Sequence, residues 1–363
     1  MGREMEQGSL VIGHRGMPVC LPENSLAGFR ACRQAGFQAV EMDLHLDAEG
    51  EFWVLHDPVP GERHLPKGAG PADFPWWGRP VYQLTGAERR QLRAVDRPSG
   101  RPQCGGGEPI PSFRELLAEF GSAVGDGGET EGSENEGNGQ LLQSAPALWV
   151  VEIKSDPLDP ESPTPETVAA AFLLHWRQAP AGICIAVKSF DWRVLDALEE
   201  AGRGEGPRCG ALVARPRDER DRPEPGNLYP GSPWLGRAGE RLAKGSAGGD
   251  GEKAGARGGS VAWGKDGGAL GRISDEALVA VAAARGWSFL SVRADEDCGA
   301  LVSVAHPAGI AVWAWTVDDP EEARALASKG VDGLISDDPV AIREALAGGV
   351  GKAWVGAGGE TSR

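Results

Sequence analysis

The chain has no run of about 20 apolar residues, no Cys-x-x-Cys pair and no basic excess. The first absence excludes a membrane-spanning helix, which needs that length to cross the hydrocarbon layer. The polar stretch Met1–Gly8 carries charges of both signs and lacks the apolar core of a signal peptide, so a cytoplasmic protein is expected. The six cysteines (Cys20, Cys32, Cys104, Cys184, Cys209 and Cys298) are scattered without zinc-site spacing and read as reduced thiols. With 37 basic against 53 acidic residues the net charge is −16. That balance excludes a nucleic-acid binder, which needs a basic footprint, and gives no basis for a membrane anchor by charge. An anionic substrate would need its charge offset locally, and a bound divalent cation is the simplest means.

What is present is a 363-residue chain, 40% apolar and 25% charged, long enough for a large core. Strand-then-helix steps start near residues 10, 39, 148, 183, 210, 287, 310 and 332. Eight such steps predict an α/β fold, a (β/α)8 TIM barrel with long insertions; a doubly wound parallel sheet is the alternative. One barrel domain over 1–347 is expected, interrupted at about 58–111, 121–147 and 216–270, with a flexible tail over 348–363. The segment 216–270 reads as mostly disordered, with Leu235 and Trp263 as candidate anchor points. A helix is expected near 85–95. Trp76-Trp77 reads as a pair packed under a loop, with a lid, a substrate-tail contact or a membrane-interface anchor as alternatives.

The chemistry gathers where strands end. Leu10-Val11-Ile12 runs into Gly13-His14-Arg15-Gly16, a sharp turn carrying a histidine and an arginine, followed by Pro22-Glu23-Asn24-Ser25, where Asn24 or Ser25 caps a helix. In the alternating run Ala39–Leu46, Glu41, Asp43 and His45 share one face and Val40, Met42 and Leu44 the other. A turn at Asp47–Gly50 leads into Phe52–Leu55 and a second histidine, His56. Glu152 and Lys154 end another apolar strand, and Trp315 lies near the end of a later one. Each piece has an ordinary alternative: a loop His-Arg pair, a solvated acidic edge, a surface ion pair, a packed tryptophan. Taken together, three carboxylates suit a hard cation such as Mg²⁺ or Ca²⁺, Arg15 and Lys154 suit an anion, and two histidines suit acid–base work near neutral pH. Phosphodiester cleavage needs that set.

With these residues in place, the sequence resembles the glycerophosphodiester phosphodiesterases. The likeness rests on Gly13-His14-Arg15-Gly16, Pro22-Glu23-Asn24-Ser25, Val40-Glu41-Met42-Asp43-Leu44, Val54-Leu55-His56-Asp57, Val151-Glu152-Ile153-Lys154, Ser189-Phe190-Asp191, Trp315-Thr316-Val317 and Gly330-Val331-Asp332-Gly333. It implies a barrel in which His14 and His56 are the acid–base pair, Glu41, Asp43 and Glu152 bind a divalent cation, Arg15 and Lys154 hold the phosphate, and Trp315 lies beside the glycerol or alcohol. The implied reaction is hydrolysis of a small-molecule glycerophosphodiester to an alcohol and sn-glycerol 3-phosphate, through a cyclic phosphate or by direct attack of water. The Trp- and Pro-rich region after His56 and the insertion at 216–270 depart from compact members. They leave a lysophospholipase D-like action on single-chain lipids as an alternative. A non-catalytic binding barrel would have lost a histidine or a metal carboxylate, and none is lost.

Overall fold

The computed structural model describes residues 8–94, 107–121, 148–215, 232–236 and 273–347. Most of the expected loops 121–147 and 216–270, the tail after 347, Cys104 and Trp263 lie outside the described residues. Nine strands are described: β1 (Leu10–Gly13), β2 (Ala39–Leu46), β3 (Phe52–Val54), β4 (Leu148–Ile153), β5 (Cys184–Ser189), β6 (Arg208–Val213), β7 (Phe289–Arg293), β8 (Ala311–Trp315) and β9 (Gly333–Ser336). All but β3 pair in parallel, in the order β1-β9-β8-β7-β6-β5-β4-β2, and β1 also pairs with β2, which closes the ring. β3 folds back antiparallel on the end of β2 as a hairpin outside the ring. A helix follows every barrel strand: Leu26–Gln34, Phe113–Gly121, Pro165–Trp176, Trp192–Gly202, Asp275–Ala284, Cys298–Ala305, Pro320–Ser328 and Pro339–Ala347. This is the expected (β/α)8 barrel, and the eight strand starts fall where the sequence placed them. Six of these helices begin on a side-chain cap that accepts a first-turn amide: Ser25, Thr164, Asp191, Ser274, Asp297 and Asp319.

Side chains alternate across a strand, so one parity faces the barrel axis and the other faces the helices. Leu10, Ile12, Ala39, Leu148, Val150, Ala186, Phe289, Trp313 and Ile335 form the apolar floor inside the ring. Phe289 and Trp313 stack there at 3.9 Å between centroids. Two glycines make room for these rings, since a β-carbon on Gly210 would lie 2.4 Å from Phe289 and one on Gly333 2.7 Å from Trp313. The opposite parity, including Val40, Met42, Leu44, Val151, Val187 and Leu290, packs against the helices.

The region after His56 has a small core of its own: Trp53, Leu55, Trp76, Val81, Leu84, Leu92 and Ile110. Trp76 is buried in it and tilts against Phe74, as expected of a pair packed under a loop, while Trp77 lies partly buried at its margin. The helix expected near 85–95 shrinks to Gly86–Arg89 behind a Thr85–Glu88 capping box. The chain leaves helical geometry because the amides of Arg93 and Ala94 donate to the carbonyls of His64 and Glu108 instead of continuing the helix ladder. Leu235 anchors its segment as expected, buried with Trp234 beside the helix Trp192–Gly202.

One buried ion pair ties the hairpin to the helix layer. His175 donates from Nδ1 to the Ala171 carbonyl at 2.9 Å, and its Nε2 meets Glu51 Oε1 at 2.8 Å. Both ring nitrogens face acceptors, and Glu51 also holds Arg114, whose Nη2 lies 3.5 Å from His175 Nε2. Burial alone would lower the His175 pKa, but the bonds to Glu51 and Ala171 raise it above 6.5. Glu51, despite burial, is held down at about 2 by His175 and Arg114. A raised pKa in the fold means that the stabilisation is complete below the unfolded value and is lost as pH rises through the folded one. Urea unfolding of wild type and His175→Leu should therefore differ by about 1.5–3 kcal/mol near pH 6, with the gap closing as pH rises. A gap of constant size across that range would exclude His175 as the titrating group.

Candidate active site

The inward parity that builds the floor continues upward into charge. His14 follows β1, Glu41 and Asp43 lie on β2, Glu152 and then Lys154 on and after β4, Lys188 on β5, Trp315 ends β8 and Asp337 follows β9. The register aligns Asp43 with Glu152 and Glu152 with Lys188 across three neighbouring strands. All sit at the carboxyl ends of the strands, where barrels carry their sites.

The turn after β1 is tightly built. Gly16 has φ +90 and would place a β-carbon 2.9 Å from the backbone of Gly28, so the turn lies directly on the first helix. Arg15 and Asn24 both take left-handed backbone conformations with φ 53, which cost non-glycine residues about 1–2 kcal/mol each. They are held there by bonds that serve the site. Asn24 N donates to the Arg15 carbonyl, Asn24 Nδ2 donates to Asp43 Oδ2 at 2.9 Å, and the Asp43 amide donates back to Asn24 Oδ1. Ser25, not Asn24, is the helix cap.

Glu41, Asp43 and Glu152 each offer an oxygen within 4.8 Å of the others, and all three are buried. Glu41 and Asp43 are fully out of water, which overturns the solvated-edge alternative. Three cations offset them. Arg15 Nε lies 2.9 Å from Asp43 and its Nη1 donates to Glu23 at 3.1 Å; Lys154 Nζ lies 3.0 Å from Asp43 and donates to Glu152; Lys188 Nζ lies 2.9 Å from Glu41 and 3.7 Å from Glu152. Burial alone would raise Asp43, yet Arg15 and Lys154 hold it well below the usual carboxylate range. Glu152 is likewise lowered against its burial by Lys154 and Lys188. Lys154 is raised, because Asp43 and Glu152 outweigh its own desolvation.

This donor set fits a hard divalent cation. All the ligand atoms are carboxylate oxygens. Glu41 Oε1 and Asp43 Oδ1 are buried and accept no well-directed hydrogen bond, so each retains a lone pair beyond its contact with an ammonium group. Glu41, Asp43 and Glu152 are matched by the three cations Arg15, Lys154 and Lys188, so a bound divalent cation would leave this cluster positive and suited to an anionic phosphodiester.

His14 is buried, and burial pulls its pKa down to about 3. Its Nδ1 donates to Asp337 Oδ1 at 2.6 Å, which leaves Nε2 with a lone pair 3.8 Å from Glu41. His56 is more open, and its Nδ1 meets Asp57 Oδ1 at 3.1 Å. Asp57 is bound in turn by Arg63 at 2.5 Å, and Arg63 reaches Glu23 at 3.8 Å. The loop carrying His56 is anchored from below, where His45 Nε2 donates to the His56 carbonyl at 3.0 Å. Trp315 is half-buried at the rim and packs edge-on against Phe190 at 5.8 Å.

The structure thus brings Arg15, Glu41, Asp43, Glu152 and Lys154 into one cluster with His14 beside it, places His56 on the adjoining loop, and puts Trp315 on the opposite arc of the ring. Lys188, Asp337, Glu23 and Asn24 were not singled out as site residues from sequence. Strand parity would have found the first two, because Lys188 continues Cys184 and Ala186, and Asp337 continues Gly333 and Ile335.

The family model described as the glycerophosphoryl diester phosphodiesterase family matches residues 14–136 and 269–341. A curated Mycobacterium tuberculosis protein named as a glycerophosphodiester phosphodiesterase is 30% identical over 112 residues, 30% of this chain and 34% of that protein. The aligned stretches span only a fifth to a third of the length of the curated relatives matched. Among solved structures, a glycerophosphoryl diester phosphodiesterase homologue from Silicibacter pomeroyi superposes with TM-score 0.64 at 23% identity, covering 95% of both chains. An Oleispira antarctica phosphodiesterase in complex with its product sn-glycerol-3-phosphate superposes with TM-score 0.55 at 20% identity, covering 93% of this chain and 96% of that one. At these identities the structural likenesses establish the fold. With its family-model match covering more than half of the sequence, and running through His14, Glu41, Asp43 and His56, this chain belongs to the glycerophosphoryl diester phosphodiesterase family.

Proposed function

We propose that this protein hydrolyses glycerophosphodiesters to an alcohol and sn-glycerol 3-phosphate, with a divalent cation, Mg²⁺ or Ca²⁺, held by Glu41, Asp43 and Glu152. The observation that carries the reading is the buried carboxylate triad beside a neutral, carboxylate-oriented histidine. Family membership and the product named for the Oleispira antarctica protein support the substrate class. When bound, the cation supplies Lewis-acid stabilisation of charge on the phosphoryl oxygens.

The chain's own residues do the rest. Arg15 and Lys154 reach the mouth and hold the phosphate oxygens. His14 is kept neutral by burial, and Asp337 takes its Nδ1 proton in a hydrogen bond, so Nε2 is the acceptor for the proton of the attacking hydroxyl, whether from glycerol or water. His56, beside Asp57 on the open loop, donates a proton to the departing alkoxide. Trp315 and Phe190 offer an apolar wall for the glycerol or alcohol carbons. Trp76 spends its ring on the core of the inserted region, which weakens the case for an acyl-chain contact there and favours water-soluble diesters over lysolipids.

Release of glycerol 3-phosphate from glycerophosphocholine should require Mg²⁺ or Ca²⁺ and stop with chelator, and it should exceed release from lysophosphatidylcholine. His14→Ala and His56→Ala should each lower kcat by about 10²–10⁴-fold. The reading fails if turnover survives in chelator or in both variants. Asp337→Asn should keep the fold and lower kcat by about 10²-fold or more, because an amide favours the wrong His14 tautomer; an unchanged kcat would remove Asp337 from the mechanism.

A further inference from the structure

Lys188 is the only charged residue of β5, and it lies deeper than the other two cations of the cluster. Its side chain is 3% exposed, against 11% for Arg15 and 15% for Lys154. The inward position beside it on β6 is Gly210, which offers no side chain. Its ammonium group meets Glu41 at 2.9 Å and Glu152 at 3.7 Å, both carboxylates of the metal triad. Arg15 and Lys154 stand at the mouth and can swing toward a phosphate. Lys188 is level with Glu152 in the strand register and enclosed beside the carboxylates, with the apolar residues of the floor below it.

We propose that Lys188 is a positioning residue, the built-in counterion of the carboxylate triad. It holds Glu41 and Glu152 apart and in place without a metal, and it limits divalent affinity because its charge cannot withdraw when the cation enters. The competition with metal rests on the reading of Glu41, Asp43 and Glu152 as ligands; the counterion role does not. The physical basis is short-range repulsion in a poorly hydrated site, where unlike surface charges a fixed ammonium group is only weakly screened. The charge count gives the device a purpose. With Lys188 the loaded cluster carries one more positive charge to attract a phosphodiester than it does without it.

Three measurements on Lys188→Met, a straight apolar side chain of similar length, test this. Calorimetric titration with Mg²⁺ and with Ca²⁺ should give a Kd tightened about tenfold or more relative to wild type. The metal-free Tm should fall by about 5–10 °C, because three carboxylates are then left with too few partners. In the presence of saturating metal, sn-glycerol 3-phosphate should bind more weakly to the variant than to wild type. The double variant Lys188→Met/Glu41→Gln should regain most of the lost metal-free Tm, which a merely space-filling lysine would not produce, and it also serves if the single variant folds poorly. A metal Kd that is unchanged or weaker in Lys188→Met overturns the competition. A metal-free Tm that does not recover in the double variant overturns the counterion role. If neither protein binds a divalent cation, the metal reading itself fails, and the Tm cycle decides the role of Lys188 alone.

Discussion

Carboxylates taken out of water lose hydration worth several kcal/mol each and repel one another. Glu41 and Asp43 are fully buried and Glu152 nearly so, and Arg15, Lys154 and Lys188 lie within about 4 Å of them as the countercharge that this burial requires. The cations come from three directions: the loop after β1, the residue just past β4 and the carboxyl end of β5. Each carboxylate has more than one of its oxygens spoken for, while Glu41 and Asp43 retain lone pairs that only a cation can use well. The loop after β1 is bent to serve this arrangement. Arg15 and Asn24 hold unfavourable backbone conformations because their side chains satisfy Asp43 when they do.

The same alternation that buries the floor produces the site. Along β2, Ala39 belongs to the floor and Glu41, Asp43 and His45 to the mouth, all on one parity. Along β4 the sequence of inward residues is Leu148, Val150, Glu152. The switch from apolar to charged comes at Glu152 on β4 and Lys188 on β5, level with Asp43, and one inward position earlier on β2, where Glu41 lies opposite Val150. A one-residue slip in any of these pairings would turn carboxylates toward the helices and apolar residues toward the mouth, so packing of the core and assembly of the site are the same event.

This is why so much could be read from the sequence. The eight strand starts, the closing of helices at caps such as Ser274 and Asp319, and the shared face of Glu41 and Asp43 follow from local pattern. So do the turn at Asp47–Gly50 and its hairpin. What could not be read depended on partners far along the chain. The helix expected near 85–95 ends at Arg89, and after a short turn His64 and Glu108 capture the amides of Arg93 and Ala94. Lys188 in an apolar run looks like a strand end until Glu41 is set opposite it. Asp337 in Ser336-Asp337-Asp338-Pro339 looks like part of a helix cap. Only the pairing of β1 with β9 puts it beside His14, 323 residues earlier.

That pairing has a consequence for how the protein comes into being. His14 leaves the ribosome 323 residues before Asp337, so the strand that seats it and the carboxylate bonded to its Nδ1 follow about 15 to 65 s later at 5–20 residues per second. Through that interval β1 has a neighbour on one side only, and a long, non-local closure must be completed before the His14–Asp337 pair exists. Chains arrested or cleaved before Gly333 would carry Glu41, Asp43, Glu152, His14 and His56, yet lack the Asp337 carboxylate that bonds His14. Assembly of the site is thereby coupled to completion of the ring, because the His14–Asp337 contact joins its first described strand to its last.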